Sequence, residues 1–280
     1  MPAAIVLRLR AERDGALYGA TGQHVHGFWL NSWRRVDPAV GDALHDERKL
    51  RPFTLSPLLG LARPLRGRTA VGAGARAWLR VCALDETTQA QLLETWLPGA
   101  PRHVTLGGLP WAVEGVAISP DDHPDAGWAR FAALRDRHLA DPPARWAVHF
   151  ESPTAVHQRD GTYVPFPLPL PLVLSWLDRW QECAGADAAL PALDVARLAA
   201  GLRVSDYELK TASARYWRRD ATGRRREWPQ IGCVGALTLD GRRLSAEERA
   251  VVSSLVDFAV YCGSGHHTTM GMGQTRVVGS

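Results

Sequence analysis

In the segment LHDERKLRP, His45 is followed by Lys49 four residues on and by Arg51 six residues on. Imidazole exchanges protons near neutral pH, and the two bases hold fixed positive charge. Phosphodiester cleavage needs that combination: a group to take or give protons, and a cation to steady the charge that builds on the phosphorus oxygens. An RNA substrate brings its own nucleophile in the 2′-hydroxyl, so this chemistry calls for no metal and no cofactor. A solvated loop histidine is the plainer reading of His45. His24 and His26 form a second small cluster, in which His26 is either the other half of an acid–base pair or a helix-terminus residue. His103, His123, His138 and His149 have no patterned neighbours.

The tail YCGSGHHTTMGMGQTR places Gly263, Gly265, Gly271 and Gly273 in two G-x-G pairs. Residues without Cβ take positive φ and let successive amides approach a phosphate. A phosphate-rich ligand is therefore expected at this loop, with His266 and His267 as further contacts; a glycine-rich surface turn is the alternative. A nucleotide- or acyl-cofactor enzyme is disfavoured, because the loop follows a helix pattern instead of opening one and no G-K-S/T follows it.

Arginine clusters twice, at Arg63, Arg66 and Arg68 and at Arg215, Arg218, Arg219, Arg224, Arg225 and Arg226, while Lys49 and Lys210 are the two lysines. The planar guanidinium fork suits phosphates and base edges, and Tyr216, Trp217 and Trp228, interleaved with the second cluster, suit stacking on an unpaired base. Biased base composition explains the number of arginines but not their grouping.

A chain of 280 residues with 46% hydrophobic and 22% charged residues is an ordinary globular composition with room for two domains. No apolar run reaches membrane-spanning length, and Met1 is followed by no basic-then-apolar segment, so a soluble cytoplasmic protein with no membrane partner is expected. Cys82, Cys183, Cys233 and Cys262 show neither C-x-x-C spacing nor pairing with histidine, so neither a disulfide framework nor a zinc site is supported.

Several elements must position these groups. Ile5, Leu7 and Leu9 alternate with Arg8 and Arg10 as in a strand with one wet face. A helix is expected across His26 to Val36, where Phe28, Leu30, Trp33 and Val36 fall at near-helical spacing and Pro38 marks the end, after which a basic loop is expected to run to Arg51. FTLSPLLGL, the strand ARAWLRVCAL, a helix opened by Asp85, and closing strands between His103 and Ser119 complete a β-α-β-β-α-β order. The turn SPDDHPDAG is the expected boundary, dividing the chain into 1–122 and 123–280, with a position near Asp141 as the alternative. The second half repeats the order: the strand WAVHFESPTAV, the helix VLSWLDRWQECAG, a basic hairpin from Thr211 to Pro229, the strand CVGALTLDG, and a helix from Ser245 to about Tyr261 begun by a Ser245–Glu248 capping box. Between the strand WAVHFESPTAV and its helix, Pro165, Pro167, Pro169 and Pro171 predict an extended, polyproline-like approach. The pattern describes two copies of an α+β unit, each a split β-α-β.

Three segments resemble the CRISPR repeat-processing endoribonucleases, members of the repeat-associated RNA-binding superfamily, in their stand-alone form: VDPAVGDALHDERKLRPFTLSPLL, ESPTAVHQRDGTYVPFPLPLPLVLSWL and the glycine-rich FAVYCGSGHHTTMGMGQTRV. The resemblance implies an α+β chain of two tandem ferredoxin-like, RNA-recognition-like domains, each with an antiparallel sheet and two helices. It implies metal-independent cutting of repeat RNA, in stem-loop or partly single-stranded form, leaving a 5′-hydroxyl and a 2′,3′-cyclic phosphate. The family's catalytic histidine falls on His45, and its basic partner on Arg51, with Lys49 as the substitute if the register differs. Some members take a third group from a tyrosine of the first helix; here Tyr18 precedes that helix, and His26 is the expected replacement. The basic hairpin is expected against the RNA stem. The resemblance also leaves open a homodimer, association with other subunits of an interference complex, and a non-catalytic RNA-binding subunit as the alternative function.

Overall fold

The computed structural model describes residues 1–45, 50–62, 67–158, 161–220 and 222–278. Lys49, Arg63 and Arg66 lie outside the described residues, as do the side chains of His45 and Arg225.

The first half comprises β1 (Ala3–Ala11), β2 (Gly15–Tyr18), α1 (Thr21–Val36), α2 (Pro38–His45), β3 (Phe53–Leu55), β4 (Arg68–Val71), β5 (Arg76–Ala83), α3 (Glu86–Ala90), β6 (His103–Leu106), β7 (Leu109–Ala117), β8 (Gly127–Trp128) and α4 (Phe131–Asp136). Its sheet runs β3-β5-β1-β7-β6 with every pairing antiparallel, β8 adds to the start of β1, and β2 and β4 form a separate ribbon. The alternation in β1 works as the sequence predicts: Ile5, Leu7 and Leu9 enter a core with Val25, Trp29 and Trp33 of α1, while Arg8 and Arg10 are exposed. Ala4 and Val6, on the opposite face, are buried as well: Ala4 joins the core of the second half, and Val6 packs with Ala117, Ala126 and Trp78.

The second half comprises β9 (Arg145–Thr154), β10 (Val156–His157), β11 (Tyr163–Val164), α5 (Pro169–Cys183), α6 (Val195–Gly201), β12 (Arg203–Arg219), β13 (Arg225–Asp240), α7 (Ala246–Cys262) and β14 (Thr275–Val277). Its sheet runs β12-β13-β9-β14, and α5 and α7 cover it through Trp176, Trp180 and Phe258 over Val148, Phe150, Leu237 and Leu239. Ala4, Cys82 and Leu84 from the first sheet join this same core, so the two halves share a sealed seam. β8 still pairs with β1, whereas Phe131 and Leu134 of α4 already belong to the second core. The chain is an α+β protein of two tandem ferredoxin-like units built on antiparallel sheets.

Four local expectations need correction. α1 begins at Thr21, five residues before His26. The segment expected as a loop after Val36 is α2, with Pro38 as its first residue, a position that tolerates proline because the missing N–H has no intrahelical partner there. Pro169 and Pro171 fall within the first turn of α5 for the same reason, so the extended approach ends at Leu168. The basic hairpin and the strand after it are one continuous ribbon, with β12 and β13 paired from Arg203–Asp240 out to Arg219–Arg225. The Ser245–Glu248 capping box is present as predicted, each side chain meeting the other residue's backbone N–H.

Candidate functional site

The first turns of α1 face the loop that follows α7, and one close crossing sets their distance. A Cβ on Gly22 would lie 2.1 Å from the Met270 carbonyl oxygen, and a Cβ on Gly271, whose φ is +86°, would lie 2.8 Å from the Gly22 Cα. Glycine on both sides is what permits helix and loop to touch. The contact delivers the Thr269 carbonyl to His26, whose Nδ1 donates to it at 2.8 Å. A carbonyl only accepts, so this bond places the proton of the neutral ring on Nδ1 and leaves Nε2 with its lone pair. Arg51, just ahead of β3, sets Nη1 3.4 Å from that Nε2. Phe53 of β3 lies nearly parallel to the imidazole with ring centroids 6.4 Å apart, and both His26 and Arg51 are half-buried. A partly accessible imidazole of fixed tautomer beside a guanidinium can move a proton and hold an anion in the same place.

The basic hairpin reaches this crease from the other side. Gln23, one turn ahead of His26, grips the Trp217 backbone at two points: its Nε2 donates to the Trp217 carbonyl at 2.8 Å and its Oε1 accepts from the Trp217 N–H at 2.9 Å. The Ala20 N–H donates to the Arg215 carbonyl, and the Tyr216 hydroxyl donates to the Met270 carbonyl at 3.0 Å. Helix α1, hairpin and glycine loop are thus tied into one assembly. Tyr216 is only 1% exposed, so it serves this junction and does not present a stacking face as its sequence context suggests.

The candidate RNA-contacting residues separate into distinct settings. Arg218 lies over Trp228 at 3.5 Å from the ring centroid and is exposed. Arg215 pairs with Glu227, Arg226 pairs with Asp220, and Arg219 donates to the Gly223 carbonyl. Arg224 is exposed at the hairpin tip. Trp217 is half-buried.

The glycine loop also departs from its expected geometry. Gly263, Gly265, Gly271 and Gly273 all have positive φ, as expected. Yet the amides of Ser264, His266 and Gly273 donate to the carbonyls of Gly273, Ala155 and Pro153, and a Cβ on Gly265 would sit 2.0 Å from the Ala155 oxygen. Those amides turn inward, and the missing side chains let the loop pack against β9 and α1.

His266 and His267 sit beneath this loop among His157, Tyr163, Tyr216 and Trp228. Burial, then the charge on His157, holds His266 down to about 4; burial, then the charges of His266 and Arg218, holds His267 down to about 3. At neutral pH both are uncharged, which suits packing or hydrogen bonding and removes the cationic phosphate contact expected of them. His45 is the last residue of α2, which packs on α1. Of the histidines without patterned neighbours, His103 meets Glu12 and His138 meets Asp257. Sequence reasoning missed Gln23 and Thr269: each acts on a partner far along the chain, and no local spacing announces that.

A histidine–arginine pair and a basic hairpin thus meet at the junction of two ferredoxin-like units. Residues 1–136 match the model of the CRISPR Cas6 N-terminal domain, and residues 148–275 match that of the CRISPR-associated endoribonuclease Cas6. The chain belongs to the Cas6 family. It is similar to Cas6 (TTHB231) of Thermus thermophilus, solved as a product complex, with 25% identity, 99% of this chain and 100% of that one covered, and a TM-score of 0.75. It is also similar to Cas6 (TTHA0078) in a product complex, with 27% identity, 99% of each chain covered and a TM-score of 0.72. A Cas6-related protein from Pyrococcus furiosus shares the fold at 12% identity and a TM-score of 0.59, over 99% of both chains. The comparison with curated proteins found no match. No helix among the described residues is long and apolar enough to cross a membrane.

Proposed function

We propose that this chain cuts CRISPR repeat RNA within a precursor transcript to release guide RNAs, without a metal, leaving 5′-hydroxyl and 2′,3′-cyclic phosphate ends. The observation that carries the reading is the His26–Arg51 pair, fixed by the Thr269 carbonyl in a crease bordered by the basic hairpin of a Cas6-family chain. Relatives solved as product and substrate-mimic complexes support repeat RNA as the ligand.

In this mechanism one imidazole takes the proton of the 2′-hydroxyl, the 2′-oxygen attacks phosphorus, and the bond from phosphorus to the 5′-oxygen breaks as a second group returns a proton to it. His26 suits the base role, since its Nδ1–H is committed and Nε2 carries the lone pair. His45 then supplies the proton to the leaving oxygen, and Arg51, with Lys49 as an auxiliary cation, steadies the charge on the phosphoryl oxygens. Arg215, Arg218, Arg219, Arg224, Arg225 and Arg226 hold the RNA stem, with Trp217 and the loop of Gly263, Gly265, His266, His267, Gly271 and Gly273 beneath it.

Labelled repeat RNA is incubated with the pure protein in EDTA, beside the same RNA carrying a 2′-deoxy nucleotide at the cut. Cleavage of the first and survival of the second is expected. Cutting of the deoxy RNA would end the 2′-hydroxyl mechanism, and intact all-ribose RNA would favour the non-catalytic RNA-binding subunit instead.

A further inference from the structure

On the flank of α1 turned away from the glycine loop, a groove of about 630 Å³ runs between the helix and the β6 edge of the first sheet. Gln23, Gly27, Asn31 and Arg35 line one wall, and His103 and Thr105 the other. Among the described residues that line it there is no aspartate or glutamate. From Gln23 to Arg35 the helix extends roughly 18 Å, at its usual rise per residue.

Gly27 is the informative position. It lies inside a helix of 16 residues, where glycine is the poorest former after proline, and a Cβ built on it meets nothing within 4 Å. The contrast with Gly22 is direct: there a Cβ collides with the glycine loop, so the fold itself requires the glycine. At Gly27 the protein's own packing requires nothing, and close approach by something outside the chain is the use that remains for a missing side chain. The lining selects the visitor. The Arg35 guanidinium attracts phosphate, and the amide of Asn31 and the hydroxyl of Thr105 suit ribose hydroxyls. Gln23, at the groove's end, also grips Trp217 near the tip of the hairpin, so the groove continues from a surface already assigned to RNA.

We propose that this groove carries single-stranded RNA flanking the cleaved bond, its sugar–phosphate backbone laid on Gly27 and a phosphate on Arg35. The proposal rests on the endoribonuclease reading above and extends it to the substrate's unpaired portion.

The test uses fluorescence anisotropy with repeat-stem RNA made uncleavable by a 2′-deoxy at the cut, once with single-stranded flanks and once trimmed to the stem. Wild-type protein is expected to bind the flanked RNA more tightly. Arg35→Gln should remove most of that difference and lower the salt slope of flanked binding by about one. Gly27→Ala should weaken flanked binding while raising the melting temperature, a pairing that a purely structural glycine would not give. Variants that bind both RNAs as the wild type does, or that lose both equally, overturn the groove assignment. Cleavage of all-ribose RNA is read separately. Variants that cut trimmed RNA at the wild-type rate and bind both RNAs normally defeat the groove alone, whereas wild-type protein that cuts nothing defeats the endoribonuclease reading and the groove with it.

Discussion

His26 and His267 lie close enough that the charge of one bears on the other, yet the two halves of the molecule treat them in opposite ways. The first half holds His26 half-buried at a helix surface, anchored through one nitrogen and facing a guanidinium with the other. The second half presses His267 and its neighbour His266 under aromatic rings, where burial keeps both neutral well below neutral pH. Residue type and glycine-rich surroundings do not distinguish a proton shuttle from a packing imidazole. What burial leaves exposed, and what the second nitrogen meets, does.

The largest test of that contrast is deletion of each ring. His26→Ala is expected to lower cleavage of repeat RNA by about 10²–10⁴-fold, while binding of the uncleavable analogue is retained. The paired His266→Gln, His267→Gln variant should cut near the wild-type rate at neutral pH. Single-turnover kinetics on both proteins decides the matter: equal losses would erase the distinction between the two sites.

A smaller effect is expected from disturbing the anchor alone. Gly22→Ala forces a methyl toward the Met270 oxygen, and the loop or helix must shift. Overpacking of this kind costs about 1–3 kcal/mol, visible in a denaturant midpoint. Because the Thr269 carbonyl moves with the loop, the pH profile of cleavage should change while KM stays close to its wild-type value. An unchanged profile would mean that the carbonyl does not set the His26 tautomer.

How much of this was readable beforehand follows from how each contact is made. The β1 alternation, the Asp85 and Ser245 caps and the α7 boundary depend on neighbours within a few residues, and the structure places them where spacing predicts. α2 escaped because Pro38 reads equally well as a stop and as a helix's first residue. The start of β12, from Arg203 to Lys210, escaped because its residues are mostly solvent-exposed on both faces, so no apolar alternation marks it. The glycines were found for the right conformational reason, but the sequence did not show that a protein backbone would fill the space they leave. At the candidate site, the clamp from Gln23 to Trp217 spans 194 positions and the bond from His26 to Thr269 spans 243. Such partners emerge only when the seam between the halves is closed.

Acid should expose the buried pair. His266 and His267 titrate near 6.5 in the unfolded chain and at about 4 and about 3 in the fold, so below pH 6.5 the unfolded state binds more protons. Their contribution to stability is therefore complete above about pH 6.5, declines as pH falls and is exhausted once both protonate in the native state near pH 3. Melting temperature plotted against pH should fall more steeply in this window for the wild type than for the His266→Gln, His267→Gln variant. Parallel curves would show that the pair is not neutralised by burial.

The subtlest discrimination comes from Arg218. Its guanidinium rests on Trp228, whose ring also meets His267, and its charge contributes to the depression of both buried histidines. In Arg218→Gln the positive field is gone while burial persists, so both imidazoles should titrate higher than in the wild type, though still below 6.5, because burial is the larger cause. The loss of an exposed cation–π contact should lower stability by about 0.5–1 kcal/mol. Proton NMR of the His266 and His267 imidazole resonances against pH reads the pair together; midpoints unmoved by Arg218→Gln would show that this guanidinium has no part in holding them down.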